Sequence, residues 1–428
     1  MKKQLIKGIC TITALGIISC GSVYGAEGDS GFVPALDTES ECEITVAGNY
    51  SNFESLEAEF DRFNEYYPDV VLEYVRLDDY NRTLSPALAG TDAPDIYCCF
   101  PWMIDREDYA QVFASAEDLA DPSLGIDLSI IRKELLYTDG SGKVPMVPVF
   151  TNTFGMLVNE DIFAKEGITV PATYDELLKA AEALQKAGYE NPIMGYNEAS
   201  SMFCDFAMPY FYVQLKDHPE VVEQLNQLDP AAVEFVRPTL EMTQKFAGSG
   251  CLNLEACSAL EDNYNALILR FFEGDIPMMF CGGDTISGTL KRESQSEAFQ
   301  AAPFLYSYYP IPSTEDGGYF LNSISMEFAV NKDSKNLEMA NEFMRFLISQ
   351  EELDNMSSLK RLVTPTVNLS FDGLFAAFGN CDEAHTAYTQ SIGLLDAPNI
   401  EIRNMLFEVG NGRMSVDEAI AAFGTMAE

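Results

Sequence analysis

The chain has 428 residues, with ten Cys, two His, a single Trp and a formal net charge of −41. That length exceeds one ordinary hydrophobic core and fits two compact bodies. So acidic a chain, with no Lys/Arg cluster to engage phosphates, excludes nucleic acid as a partner and reads as a solvated exterior that keeps an exported protein soluble.

The first segment is a targeting device. Lys2, Lys3 and Lys7 precede the apolar stretch Ile9 to Ile18, and Ser19, Cys20, Gly21 and Ser22 follow. An apolar centre of about ten residues is too short for a permanent membrane helix, and no later stretch approaches the roughly 18 to 20 residues needed. The run Ile17-Ile18-Ser19-Cys20 resembles the bacterial lipobox, which implies a signal peptide over 1–19 and a diacylglycerol on Cys20 as the mature first residue. Val23-Tyr24-Gly25 offers the alternative of plain secretion with cleavage after Gly25. Residues 20–41, rich in Gly, Ser and acids, read as a disordered linker, so order begins near Cys42.

Ile44-Thr45-Val46 then alternates as a strand does. Ser51 and Glu54 have capping-box spacing ahead of Phe53, Leu56, Phe60, Phe63 and Tyr67, which share one helical face up to Pro68. A strand over Val70 to Val75, a helix over Tyr80 to Ala89 and a strand starting at Asp95-Ile96-Tyr97 complete a βαβ pattern with parallel pairing. A second block follows: a strand over Phe154 to Val158, a helix capped by Thr173 with Glu176 and ended at Gly188, and a strand over Ile193 to Tyr196. The spacing further predicts a helix over Asp262 to Phe272, strands over Pro277 to Phe280 and Ser325 to Val330, a helix over Leu337 to Ile348, and a last helix boxed by Ser415 and Glu418. The fold class is α/β, in which ligands sit outside the carboxyl ends of the strands.

Chemistry-bearing motifs are scarce. Cysteine spacing matches no zinc module; Cys251 and Cys257 bracket a short loop suited to a disulfide, while Cys98 and Cys99 read as small buried side chains. His218 and His385 lie in no HExxH or nucleophile pattern and read as surface residues, and there is no G-x-S-x-G elbow, phosphate loop or dinucleotide fingerprint. No catalytic residue, metal ligand or cofactor is assigned, although an acidic secreted chain leaves a glycoside hydrolase with paired carboxylates as a rival.

The run GKVPMVPVFTNTFGMLVNEDIF (142–163) with Pro171-Ala172-Thr173-Tyr174-Asp175-Glu176-Leu177 resembles bacterial ABC-transporter solute-binding proteins of the sugar type, family 1, the maltose-binding kind. ITVAGNYSNFESLEAEFDRFNEYYPDV, FFEGDIPMMFCGGD, AVNKDSKNLEMANEFMRFL and GNGRMSVDEAIAAF follow that family's order. The resemblance implies a two-lobed periplasmic-binding-protein type II fold with a hinge, lobe one holding 42–150 and 305–349 and lobe two 151–304 and 350–428. It also implies a monomer that closes on a small solute, a mono- or oligosaccharide, and delivers it to ABC permease subunits at the membrane. A peptide, polyamine or other cationic solute on the same scaffold is the alternative.

Sugar recognition takes planar hydrogen-bonding side chains and aromatic faces. Post-strand loops supply Asn49 and Tyr50, Asp95, Phe100 and Trp102, Asn152, Tyr196 and Asn197, Asp284 and Tyr319 as ligand-binding candidates. All but Tyr196 and Asn197 have a plainer role open to them: core packing for Tyr50, Phe100 and Trp102, a turn or cap for Asn49, Asn152, Asp95 and Asp284, an exposed loop for Tyr319. Ala47 and Asp284 stand where the family's sugar binders often carry Trp, so the ligand is expected to be small or unusually polar.

Overall fold

The computed structural model describes residues 31–428 except Asp105, Ser200, Glu261, Asp262, Ala427 and Glu428. The signal segment and Cys20 lie outside the described residues. Chain contacts separate Met1–Val33 from Pro34–Glu428, and all the regular structure described belongs to the second unit.

Its strands are β1 (Cys42–Gly48), β2 (Val70–Arg76), β3 (Ile96–Cys99), β4 (Val147–Asn152), β5 (Phe154–Asn159), β6 (Ile193–Met194), β7 (Met278–Gly282), β8 (Tyr306–Tyr309), β9 (Phe320–Val330) and β10 (Thr386–Tyr388). They form two sheets. The first runs β10-β9-β3-β1-β2 with β4 also on β9; the second runs β6-β7-β5-β8. Parallel β2, β1 and β3 confirm the βαβ reading, and antiparallel β9 lies against β3 and β4.

Phe53, fully buried, holds the first layer together: its ring meets Tyr50 and Tyr74 edge-on and packs on Phe150 and Phe328. That insertion also explains why the box expected at Ser51 does not form. Phe53 itself precedes the helix Glu54–Asn64, with no side-chain cap, and Asn52 donates to the Glu54 carboxylate. The two later boxes do form, Thr173 with Glu176 and Ser415 with Glu418.

The chain passes between the sheets at successive points. β4 ends at Asn152 and β5 begins at Phe154, with Thr153 alone between them. A second passage runs from β8, paired with β5 in the second sheet, to β9, paired with β10 and β3 in the first. A third passage follows the helix Gln350–Lys360, where Val363 exchanges backbone hydrogen bonds with Thr151. Residues 306–309 pair with β5 in the second sheet rather than joining the first lobe. The helix Gln350–Lys360 sits on the first layer, where Arg62 bonds both Glu351 and Glu352.

One side chain ties these passages together. Arg132, 6% exposed, donates to Asn322 Oδ1 on β9 at 2.9 Å, to the Thr364 carbonyl at 2.7 Å and to Thr151 Oγ1 at 3.4 Å. Asn322, itself fully buried, returns bonds to Thr151 Oγ1 and the Asn152 carbonyl.

Cys251 and Cys257, whose pairing the spacing leaves open, are both free and buried, and Cys251 meets Ser249 Oγ. Among the described residues no helix is long and apolar enough to cross a membrane.

Candidate functional site

Parallel strands aim their carboxyl ends the same way, and the loops that follow them converge. Gly48 to Tyr50 after β1 and Phe100 to Trp102 after β3 belong to the first layer; Tyr196 after β6 and Gly282 to Asp284 after β7 belong to the second. Contacts between the layers locate the space they share. Asn152 Nδ2 lies 3.3 Å from Asp284 Oδ1, and Ser325 Oγ lies 3.4 Å from the same oxygen. Within the first layer, the Lys360 ammonium, whose charge acts on Asp284, caps the Tyr50 ring at 4.4 Å from its centroid. Arg106, in the loop beyond Trp102, reaches Asp396 at 3.9 Å.

Asp284 is the polar centre of this space. It was open to reading as a helix cap, but Gly282 is the cap of Gly283–Ser287 and the Asp284 carboxylate points elsewhere, to Asn152 and Ser325. Gly283 makes the approach possible: a Cβ there would stand 2.4 Å from Asn152 Cβ. Asp284 is solvent-accessible, yet the surrounding protein lifts its carboxyl above the ordinary range, opposed by the Asn152 and Ser325 bonds and by the charge of Lys360. An accessible group so crowded lies on the floor of a concavity rather than on a convex surface.

Aromatic rings line the first-layer wall. Trp102 is half-buried in a three-residue helical turn, nearly parallel to Phe100 (centroids 6.0 Å, 11°), edge-on to Tyr109 at 5.2 Å and beneath the Arg106 guanidinium at 5.5 Å. Such a cluster fixes the indole while leaving it partly exposed, as a stacking surface for C–H faces requires.

Of the expected residues, Asn152 and Asp284 meet directly, Tyr50 lies under Lys360, and Phe100 and Trp102 stand on the first-layer loop whose Arg106 reaches Asp396. Asn49 is exposed at the end of β1, and half-buried Tyr196 follows β6, its hydroxyl on Glu198 at 2.6 Å. Three candidates make their contacts elsewhere. Asp95 stands at the start of β3, as expected, and its buried carboxylate takes Thr45 N at 2.8 Å, Thr45 Oγ1 at 3.0 Å and Ser334 Oγ, pinning β1 and the β9 end. Asn197 is locked in a reciprocal amide pair with Asn411 (2.7 and 3.1 Å). Tyr319 is buried between Tyr210 and His385 rather than exposed.

Several charged groups near the space were not singled out in the sequence: Lys360, Arg106, Asp396, and, beneath the second-layer floor, Asp205 and Arg403. Burial lowers Lys360, with Glu54 and Asp284 opposing, and raises Asp396, with Arg106 and Arg403 opposing. Asp205 stands out in hindsight as the lone acid of an apolar helix, MFCDFAMPYFYVQL.

A cavity of about 630 Å³ lies elsewhere, between β8 and the helix Gln350–Lys360, lined in part by Phe304, Tyr306, Arg361, Phe371 and Phe375. Of its charged groups, Arg361 is engaged with Glu293 and Tyr306, and Asp354 with Thr364 and Gln350. Among the described residues no group of three or more His, Cys, Asp or Glu could hold a metal ion.

Comparison with known proteins agrees with this geometry. A family model described as bacterial extracellular solute-binding protein matches residues 58–372. The melibiose/raffinose/stachyose-binding protein MelE of Bacillus subtilis (strain 168) is 22% identical over 311 residues, 70% of this chain and 67% of that protein. Among solved structures, the apo-form of RafE from Streptococcus pneumoniae superposes with a TM-score of 0.67 at 16% identity, over 92% of this chain and 100% of that one. The GacH receptor of Streptomyces glaucescens, solved free and with acarbose, gives 0.65 at 19% identity over 90% and 97%. The two-lobed α/β expectation is met.

Proposed function

Because the chain belongs to the bacterial extracellular solute-binding protein family, we propose that it captures an oligosaccharide between its two layers outside the cytoplasm and presents it to an ABC-type permease. Two features support this reading: a fixed, partly exposed indole on the loop after β3, and the polar contact of Asn152 and Ser325 with Asp284 between the two sheets. Stacking and planar hydrogen bonding are what a sugar ring asks for. The relatives named for melibiose, raffinose and stachyose and for raffinose support the choice of solute.

Closure follows population-shift logic: ligand contacts made by both lobes favour the closed state, which the permease engages. We assign the lobes to the two sheets with their helices and the hinge to Asn152–Phe154, β9 and the passage after Lys360. The protein works without catalysis or cofactor, as a monomer, held at the membrane by a lipid on Cys20 or, in the alternative, released after cleavage at Gly25.

A thermal-shift panel of raffinose, stachyose, maltotriose, xylotriose and chitotriose, with spermidine and a tripeptide beside them, tests the solute. A glycan present at about 100 times its Kd stabilises the fold by about 2.7 kcal/mol, a shift of several degrees. Trp102→Ala is expected to weaken glycan binding about tenfold or more with the unliganded Tm unchanged, measured by calorimetric titration. Stabilisation by spermidine alone would move the reading to a cationic solute, and glycoside turnover would replace it with hydrolysis.

A further inference from the structure

Asp205, near the start of the helix Met202–Leu215, is 4% exposed, and among the described residues its carboxylate accepts no hydrogen bond and forms no ion pair within 4.0 Å. Arg403, in the helix Asp396–Gly410, keeps Nε buried without a partner. The two feel each other's charge without touching, and Asp284 adds its own field. Burial pushes the Asp205 carboxyl up to about 7, against the pull of Arg403. Arg403 Nε is a buried donor left unmet, and the Asp205 carboxylate has no partner within the described chain, so both groups are open to a ligand.

The opening is at Gly282. A Cβ built there lies 3.7 Å from Asp205 Oδ1 and 3.8 Å from the Phe154 ring, and Gly282 is itself partly exposed at the end of β7, two residues before Asp284. Its missing side chain leaves the carboxylate reachable from the floor of the concavity.

We propose that Asp205 and Arg403 form a ligand-reading pair that takes neighbouring hydroxyl groups of one glycosyl unit, one donating to the Asp205 carboxylate and one accepting from the Arg403 guanidinium. This rests on the oligosaccharide reading and narrows it. Charge balance selects the ligand: an ammonium would satisfy Asp205 and be repelled by Arg403, and a carboxylate would do the reverse. A hydroxyl both donates and accepts, so an uncharged polyol satisfies both. The unit bound here is therefore a neutral sugar, neither an amino sugar with a free amine nor a uronic acid.

The test titrates the glycan that stabilises the wild type in the panel of raffinose, stachyose, maltotriose, xylotriose and chitotriose against Asp205→Asn, Arg403→Met and Gly282→Ala. Asp205→Asn and Arg403→Met are expected to lose at least tenfold in affinity, while the unliganded Asp205→Asn protein melts no lower than wild type, because a buried unpaired acid has gone. Gly282→Ala, whose new methyl group meets only ordinary contacts, is expected to lose severalfold by covering Asp205. Wild-type binding with Asp205→Asn and Arg403→Met both within twofold overturns the pair and leaves the oligosaccharide reading standing. Absence of wild-type binding to every glycan overturns the reading itself, and the pair with it.

Discussion

Glu327→Gln is expected to stabilise the protein on the order of 5 kcal/mol at pH 9 and to leave it nearly unchanged at pH 4. Glu327 lies on β9 opposite Cys99 and Pro148, fully buried, with neither carboxyl oxygen hydrogen-bonded, and burial pushes it from 4.5 up to about 8. Between those values the folded chain keeps a proton that the unfolded chain has released. Stability therefore falls as pH rises from about 4.5 to about 8 and is level above. Glutamine keeps the shape and carries no charge to bury, so that loss disappears. Urea unfolding of both proteins at several pH values reads the difference between them, which cancels the contributions of other titrating acids such as Glu59. Parallel stability curves across this window would show that Glu327 is not the source.

Arg132→Met is expected to act in the opposite direction, destabilising by about 2 to 4 kcal/mol and loosening the passages between the lobes. Both residues are buried ionisable groups with no ion-pair partner among the described residues; what separates them is what depends on them. Glu327 accepts from no one, so removing it orphans nothing. Arg132 serves Asn322 Oδ1 and the Thr364 carbonyl, and a methionine strands both acceptors. That penalty exceeds the relief of unburying a guanidinium already resting over the Tyr388 ring. Hydrogen exchange at Thr151, Asn322 and Val363 is expected to accelerate together, since all three lie on segments held by one network. Unchanged stability with unchanged exchange would mean that the backbone pairing of β4 with β9 suffices.

The α/β alternation was legible because its signals are local: period-two apolar runs at β1 and β2, and side-chain boxes at Thr173 and Ser415. It misled at Ser51, where a long-range demand, the packing of Phe53 between β2, β4 and β9, overrode the local cap. Site residues were legible only where they follow a strand immediately. Asn152 and Asp284 are candidates by that rule, whereas Asp95, read at the start of its strand, has its carboxylate turned to Thr45 and Ser334, a contact between β1 and the β9 end that no local pattern announces. Asp205, Arg403 and Lys360 were missed because they come from helices that reach the floor only once the sheets are assembled. The lone charge in an apolar helix was the available clue.

The thiols described have a consequence for how such a chain matures. Cys42, Cys98, Cys99, Cys204, Cys251, Cys257, Cys281 and Cys381 are all free, and burial raises every one of them above its ordinary value. Thiolate is the species that exchanges and oxidises, and here it is suppressed throughout. Folding of this body after export needs neither an oxidant nor an isomerase, and its working stability is independent of the redox state of its surroundings. It is suited to an anoxic habitat and to an aerated one alike.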